Sequence, residues 1–160
     1  MRHPLFLSAI FAVLMVGSVA RADQAGGATA TVLQTPGAKV TADLALTFKV
    51  HQSQKGALMV AIFDTETAYT GDGQPIAQLK LDIASDTLAV VVPGLAPGRY
   101  GIKLFHDLNG TGKLTFNMFG IPTEPVAFSN NAKINMRAPT WAEVSFELPA
   151  SGGAQTIDID

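Results

Sequence analysis

Residues Phe105 to Asn117, FHDLNGTGKLTFN, carry the densest run of chemically useful side chains in this chain. Asp107, Asn109 and Thr111 place oxygens at alternating positions, and Gly112 follows, which is how a calcium loop begins. Calcium takes about six to eight oxygen ligands, preferably with several carboxylates. Asp107 is the only carboxylate in the run, Thr115 occupies a position where another ligand would help, and Met118 stands where an EF-hand needs its glutamate. An EF-hand is therefore excluded. What the spacing allows is a charge-poor, weak site built from Asp107, Asn109, Thr111, the Lys113 carbonyl and Asn117. The same residues also make an ordinary turn, because Asp and Asn close turns on their own backbone and Asn-Gly accepts positive φ.

His106 alternates in phase with Tyr100, Ile102 and Leu104 and is predicted to face a core; Asp107, its neighbour, faces the opposite way and cannot form a relay with it. A hydrolase reading would use His106, Asp107 and Glu124. Ser129 lacks the glycine-flanked elbow of serine hydrolases, and no phosphate loop, paired-histidine zinc motif or dinucleotide fingerprint occurs. No catalytic residue is assigned, and no cofactor is expected beyond calcium. The second polar cluster is Phe128-Ser129-Asn130-Asn131. Its side chains either close turns on the backbone or form a ligand-binding rim. The candidate ligand-binding residues are thus His106, Asp107, Asn109, Glu124, Ser129, Asn130 and Asn131.

The elements that must position these residues read as short strands with period-2 alternation. Leu44, Leu46, Phe48 and Val50 share a face, as do Leu58, Val60 and Ile62. Met59, Ala61 and Phe63 make the second face of that strand apolar as well, which predicts a central position. Further sets are Leu79, Leu81 and Ile83; Leu88, Val90 and Val92; Tyr100, Ile102 and Leu104; Leu114 and Phe116; Val144, Phe146 and Leu148; and Ile157 and Ile159. On this alternation Trp141 falls on the outward face with Glu143, where it would pack beneath the long segment 118–140 or offer a stacking surface. No stretch shows a helical period. Pro97-Gly98 predicts a type II turn with Tyr100 anchored beyond it, as in the tyrosine corners of β-sandwiches. Seven to eight strands with frequent turns predict an all-β sandwich over residues 42–160.

Strand parity sorts the connections between two ends. Those at 51–56, 84–86 and 107–112 share one end, and those at 64–75 and 93–98 share the other. This nominates Asp86 and His51 as neighbours of Asp107 and excludes Asp64, Glu66 and Asp72.

The chain has 160 residues and no cysteine. Disulfides, thiol catalysis and a lipidated cysteine are excluded. The positively charged start at Arg2, the uncharged run Leu5–Val16 and the small residues through Ala22 predict a signal peptide over 1–22, cleaved after Ala20 or Ala22. Residues 23–41 read as a flexible tail. Removal of the signal leaves 9 basic and 13 acidic residues, a net charge of −4. That balance disfavours nucleic acid and anionic membranes as partners. No mature segment is apolar and long enough to span a bilayer. The expected location is the periplasm or the exterior.

The stretches FDTETAY, GLAPGRYGIKLFHDLNGTGKLTFN, GIPTEPVAFSNNA and AEVSFEL resemble an uncharacterised secreted bacterial family, domain of unknown function 2141, over roughly Leu44 to Asp160. The resemblance implies a signal-bearing sandwich of the immunoglobulin or transthyretin kind and no established activity. The family usually has Asn at Thr111, Asp at Thr115 and Tyr-Gly at Val126-Ala127. A similar loop in calcium-binding repeats of bacterial surface adhesins is an analogy only. The leading expectation is an exported, non-enzymatic binding or envelope-associated module for a small ligand, glycan or protein. The alternative is a calcium-stabilised adhesion-type module, and a hydrolase comes third.

Overall fold

The computed structural model describes residues 39–52 and 55–160. The predicted signal peptide and most of the predicted tail lie outside the described residues. The strands are β1 (Ala42–Val50), β2 (Ala57–Phe63), β3 (Ala77–Asp82), β4 (Thr87–Leu95), β5 (Gly98–Asp107), β6 (Val126–Phe128), β7 (Phe146–Leu148) and β8 (Gly153–Ile159). A single helical turn, α1, spans Trp141–Val144. The protein is mostly β, in two sheets.

One sheet has the order β4-β1-β8, with β1 antiparallel to β4 and parallel to β8. The other has the order β3-β2-β5-β6, with β7 pairing the start of β5. Apolar side chains at every second position explain this division. Leu44, Leu46 and Phe48 of β1 and Ile157 of β8 share one core with Leu58, Val60, Ile62 and Ile102 of the second sheet. Each such side chain contributes about 1.5–3 kcal/mol on burial. β2 is central, between β3 and β5, as its two apolar faces predict.

The second face of β2 carries its own cluster. Phe63, Tyr69, Phe128 and Val144 are buried together there, with Ala61, Val126 and Trp141 packed against them. Gly101 of β5 lets Trp141 approach this face, since a Cβ would stand 2.7 Å from the indole ring.

Three expectations are corrected. Leu114 and Phe116 form no strand; only an isolated bridge joins Phe116 to Pro122. Trp141 and Val144 lie on a helical turn, because Thr140 and Glu143 form a capping box there. Trp141 therefore faces Tyr69, with ring centroids 5.8 Å apart, instead of following strand alternation. The left-handed glycine near the β4–β5 connection is Gly94, φ 74°, and Gly98 is extended as the first residue of β5, so the predicted type II turn is absent. The tyrosine corner does form: the Tyr100 hydroxyl donates to the Ala96 carbonyl at 2.6 Å.

Candidate functional site

The site grows from the end of β5. Val50 N–H donates to Asp86 O at 2.8 Å, Ile83 N–H to Gly56 O at 3.1 Å, and Ala57 pairs with Asp107. The three connections grouped by strand parity therefore do meet at one end. Gly56 is required at that junction: its φ is 84°, and a Cβ would sit 2.2 Å from the Asp107 carbonyl oxygen. His106 is 1% exposed, and its Nε2 lies 2.6 Å from the Lys55 carbonyl, so Nε2 carries the proton. The expected inward histidine is found. His51 instead meets Asp158 of β8 at 3.4 Å.

Asp107 points to the opposite face, as alternation requires, but it is 1% exposed. Asp107 faces away from His106 as expected but is not on the outside of the fold, because its own loop folds back over it. Thr111 N–H donates to Asp107 Oδ1 at 3.1 Å and Gly112 N–H to Oδ2 at 2.8 Å. Asn109 Oδ1 accepts from Thr111 N–H, and the Thr111 hydroxyl donates to Lys113 O. Asn117 Oδ1 accepts from the N–H groups of Phe119 and Ile121. The row of oxygens predicted as calcium ligands is thus hydrogen-bonded within the loop, with Asn117 closing a separate turn.

The β5–β6 pairing supplies a carboxylate that parity could not. The register runs Lys103↔Phe128, Leu104↔Ala127 and Phe105↔Val126. His106 N–H donating to Pro125 O at 2.9 Å extends it one residue. Asp107 and Glu124 each lie one residue beyond that last hydrogen bond. Glu124 Oε2 accepts from the Thr115 N–H at 3.1 Å and the Thr115 hydroxyl at 3.2 Å. Glu124 Oε1 is buried and has no hydrogen-bond partner. Asp86, the carboxylate nominated from the sequence, is exposed and contributes its backbone carbonyl to Val50.

Beyond Thr115 the chain makes a small hairpin closed by Thr123 N–H to Thr115 O and Asn117 N–H to Ile121 O. Its tip is apolar and exposed: Phe116, Met118 at 91%, Phe119 and Ile121. Beside the loop lies an open trough of about 590 Å³ on the outer face of the five-stranded sheet. Met59, Ala61, Phe105 and Val126 form its apolar floor, Gly112 and Leu114 its edge, and Lys80 and Lys103 its cationic margin. The Lys103 ammonium donates to the Tyr69 carbonyl and stands 3.9 Å from the Tyr69 ring centroid. Burial lowers its pKa. The Tyr69 phenol donates to Pro139 O at 2.8 Å, and burial, with the Glu143 charge, pushes its pKa up to about 12.

The Ser129 cluster works differently. Ser129 is fully buried; its Oγ accepts from Ile102 N–H at 2.9 Å and donates to Val144 O at 2.6 Å. Asn130 Nδ2 donates to the carbonyls of Glu143 and Ser145. Asn131 Nδ2 donates to Thr156 O and Asp158 Oδ2, and its Oδ1 accepts from Asp158 N–H. These side chains join β5, α1 and β8 to one another.

A sequence profile of an uncharacterised protein family conserved in bacteria, DUF2141, matches residues 47–158. The chain belongs to this family. Neither the curated proteins nor the solved structures contain a match to this DUF2141 chain. Among its described residues no helix is long and apolar enough to cross a membrane, and no three His, Cys, Asp or Glu side chains come together as a metal-holding group. The floor of the DUF2141 trough was not nominated from the sequence. Its signal was present: Met59 and Ala61 on β2, Phe105 on β5 and Val126 on β6 are apolar on the face away from the core.

Proposed function

We propose that the protein is an exported, non-enzymatic binding module of the immunoglobulin- or transthyretin-like sandwich type, and that it holds an acidic, acyl-chain amphiphile in the outer-face trough. The observation that carries this reading is the trough itself. An apolar concavity of about 590 Å³ has the size and lining of a small-molecule site. Soluble domains seldom leave so continuous an apolar surface without a use. The Met59–Phe105–Val126 floor suits an acyl chain, and the Lys80 ammonium at the margin suits its carboxylate. The exposed tip Phe116–Ile121 supports an envelope-associated role, since it offers apolar side chains to a lipid surface or a partner. His106 supports no catalytic role in this reading, because it is buried and holds the Lys55 carbonyl.

Titration with a polyene fatty acid, whose emission rises in apolar surroundings, tests the proposal. One saturable site per chain is expected. Met59→Lys should abolish it, and Lys80→Glu should weaken it by about fivefold, the loss of roughly 1 kcal/mol. Non-saturable emission identical in all three proteins would overturn it.

A second reading, the calcium-stabilised adhesion-type module, is favoured by the buried Asp107 carboxylate in its loop.

A further inference from the structure

We infer that Asp107 and Glu124 together form a calcium site beneath the 108–115 loop, with a ligand set different from the oxygen row that the loop sequence suggests. The inference stands apart from the trough proposal and gives the calcium-stabilised reading its residues. Three observations carry it. The first is position: the β5–β6 pairing runs on through the His106–Pro125 hydrogen bond, and Asp107 and Glu124 each lie one residue beyond it. The second is their shared covering. The Asp107 carboxylate is held by the N–H groups of Thr111 and Gly112, and Glu124 Oε2 by the N–H and hydroxyl of Thr115, so one loop orients both. The third is Glu124 Oε1. Glu124 is only 6% exposed, yet this oxygen has no partner, whereas every other carboxylate oxygen of the pair accepts a hydrogen bond.

A buried oxygen left unpartnered is destabilising, and so is a buried carboxylate charge without a counter-ion. A divalent cation between the carboxylates removes both penalties. The donors are hard oxygens with no nitrogen or sulfur among them, which favours calcium over zinc or copper. Two carboxylates can supply up to about four of the ligands, with loop carbonyls and water completing the shell. Asn109, Thr111 and Asn117 are not principal ligands, because their side chains are neutral and calcium prefers carboxylates.

The test is calorimetric titration of the chelator-treated full chain with calcium chloride, alongside thermal unfolding in calcium and in chelator. One ion per chain is expected. At a hundredfold excess over Kd the melting temperature should rise by about 5 °C or more. Glu124→Gln should lose both effects, and Asn109→Ala should keep them. Absence of binding heat with coincident melting curves in the wild-type chain overturns the inference. So does undiminished binding by Glu124→Gln, or loss of binding in Asn109→Ala, which would return the site to the loop row. Fatty-acid titration in chelator separates the two proposals, because the trough needs no ion.

Discussion

Ser129 and Glu124 flank β6, and both are buried polar residues, but their surroundings differ. The Ser129 hydroxyl both accepts and donates, joining Ile102 to Val144, and Asn130 and Asn131 continue the pattern into α1 and β8. Every partner there is the protein itself. At Glu124 one carboxylate oxygen is spent on Thr115 and the other on nothing. The neighbouring hairpin tip exposes Phe116, Met118, Phe119 and Ile121, while the trough leaves Phe105 and Met59 half-buried. Buried polar groups are normally satisfied. A closed network therefore argues for a structural role, and an open one beside exposed apolar surface argues for something the protein meets from outside.

The largest effect should come from the closed side. Ser129→Ala strands Ile102 N–H and Val144 O in the core and should cost about 3 kcal/mol in urea unfolding. A cost under about 1 kcal/mol would mean that the network is dispensable and the contrast false. Tyr100→Phe removes one hydrogen bond to Ala96 and should cost about 1 kcal/mol, measured the same way.

An acid titration sharpens the comparison further. The Arg137 guanidinium, with the Thr140 N–H and hydroxyl, holds the Glu143 pKa down to about 2. A depressed carboxylate stabilises the fold above its ordinary pKa of about 4.5 and loses that contribution as pH falls through its folded value. The α1 cap should therefore loosen between about pH 4.5 and pH 2. Glu143→Gln should flatten that part of the stability curve, and an unchanged acid limb would contradict the assignment. The smallest effect belongs to the open side. Phe119→Ser at the exposed tip should change stability by under about 0.5 kcal/mol, while vesicle sedimentation of the protein falls if the tip serves the envelope. A large loss of stability would show that Phe119 packs within the fold.

Alternation made much of the scaffold readable. Leu44–Val50, Leu58–Ile62 and Ile157–Ile159 bury the residues their period requires. Parity gathered the right connections because it depends only on strand order. Local chemistry was harder. Four residues of α1 are too few to show a helical period, and Thr140 with Glu143 was its only signal. Leu114 and Phe116 alternate as in a strand, but Gly112 at φ 69° and the turn at Asn117 leave no room for one. Asp107 faces the side that alternation requires, yet its burial depends on a loop folding back, which alternation does not encode. Pairing Asp107 with Glu124 needs the β5–β6 register, fixed only once the intervening loop and hairpin are built. The hydrolase reading grouped both residues with His106, while the calcium reading left Glu124 out.

The central claim is that the outer face of the five-stranded sheet is a ligand site, and amide and methyl chemical-shift mapping with a long-chain fatty acid tests it most directly. The account predicts saturable shifts at Met59, Lys80, Phe105, Leu114 and Val126, with the Ser129–Asn131 network unmoved. Shifts confined to Ser129–Asn131 and β8, or no saturable shift on this face, would contradict it.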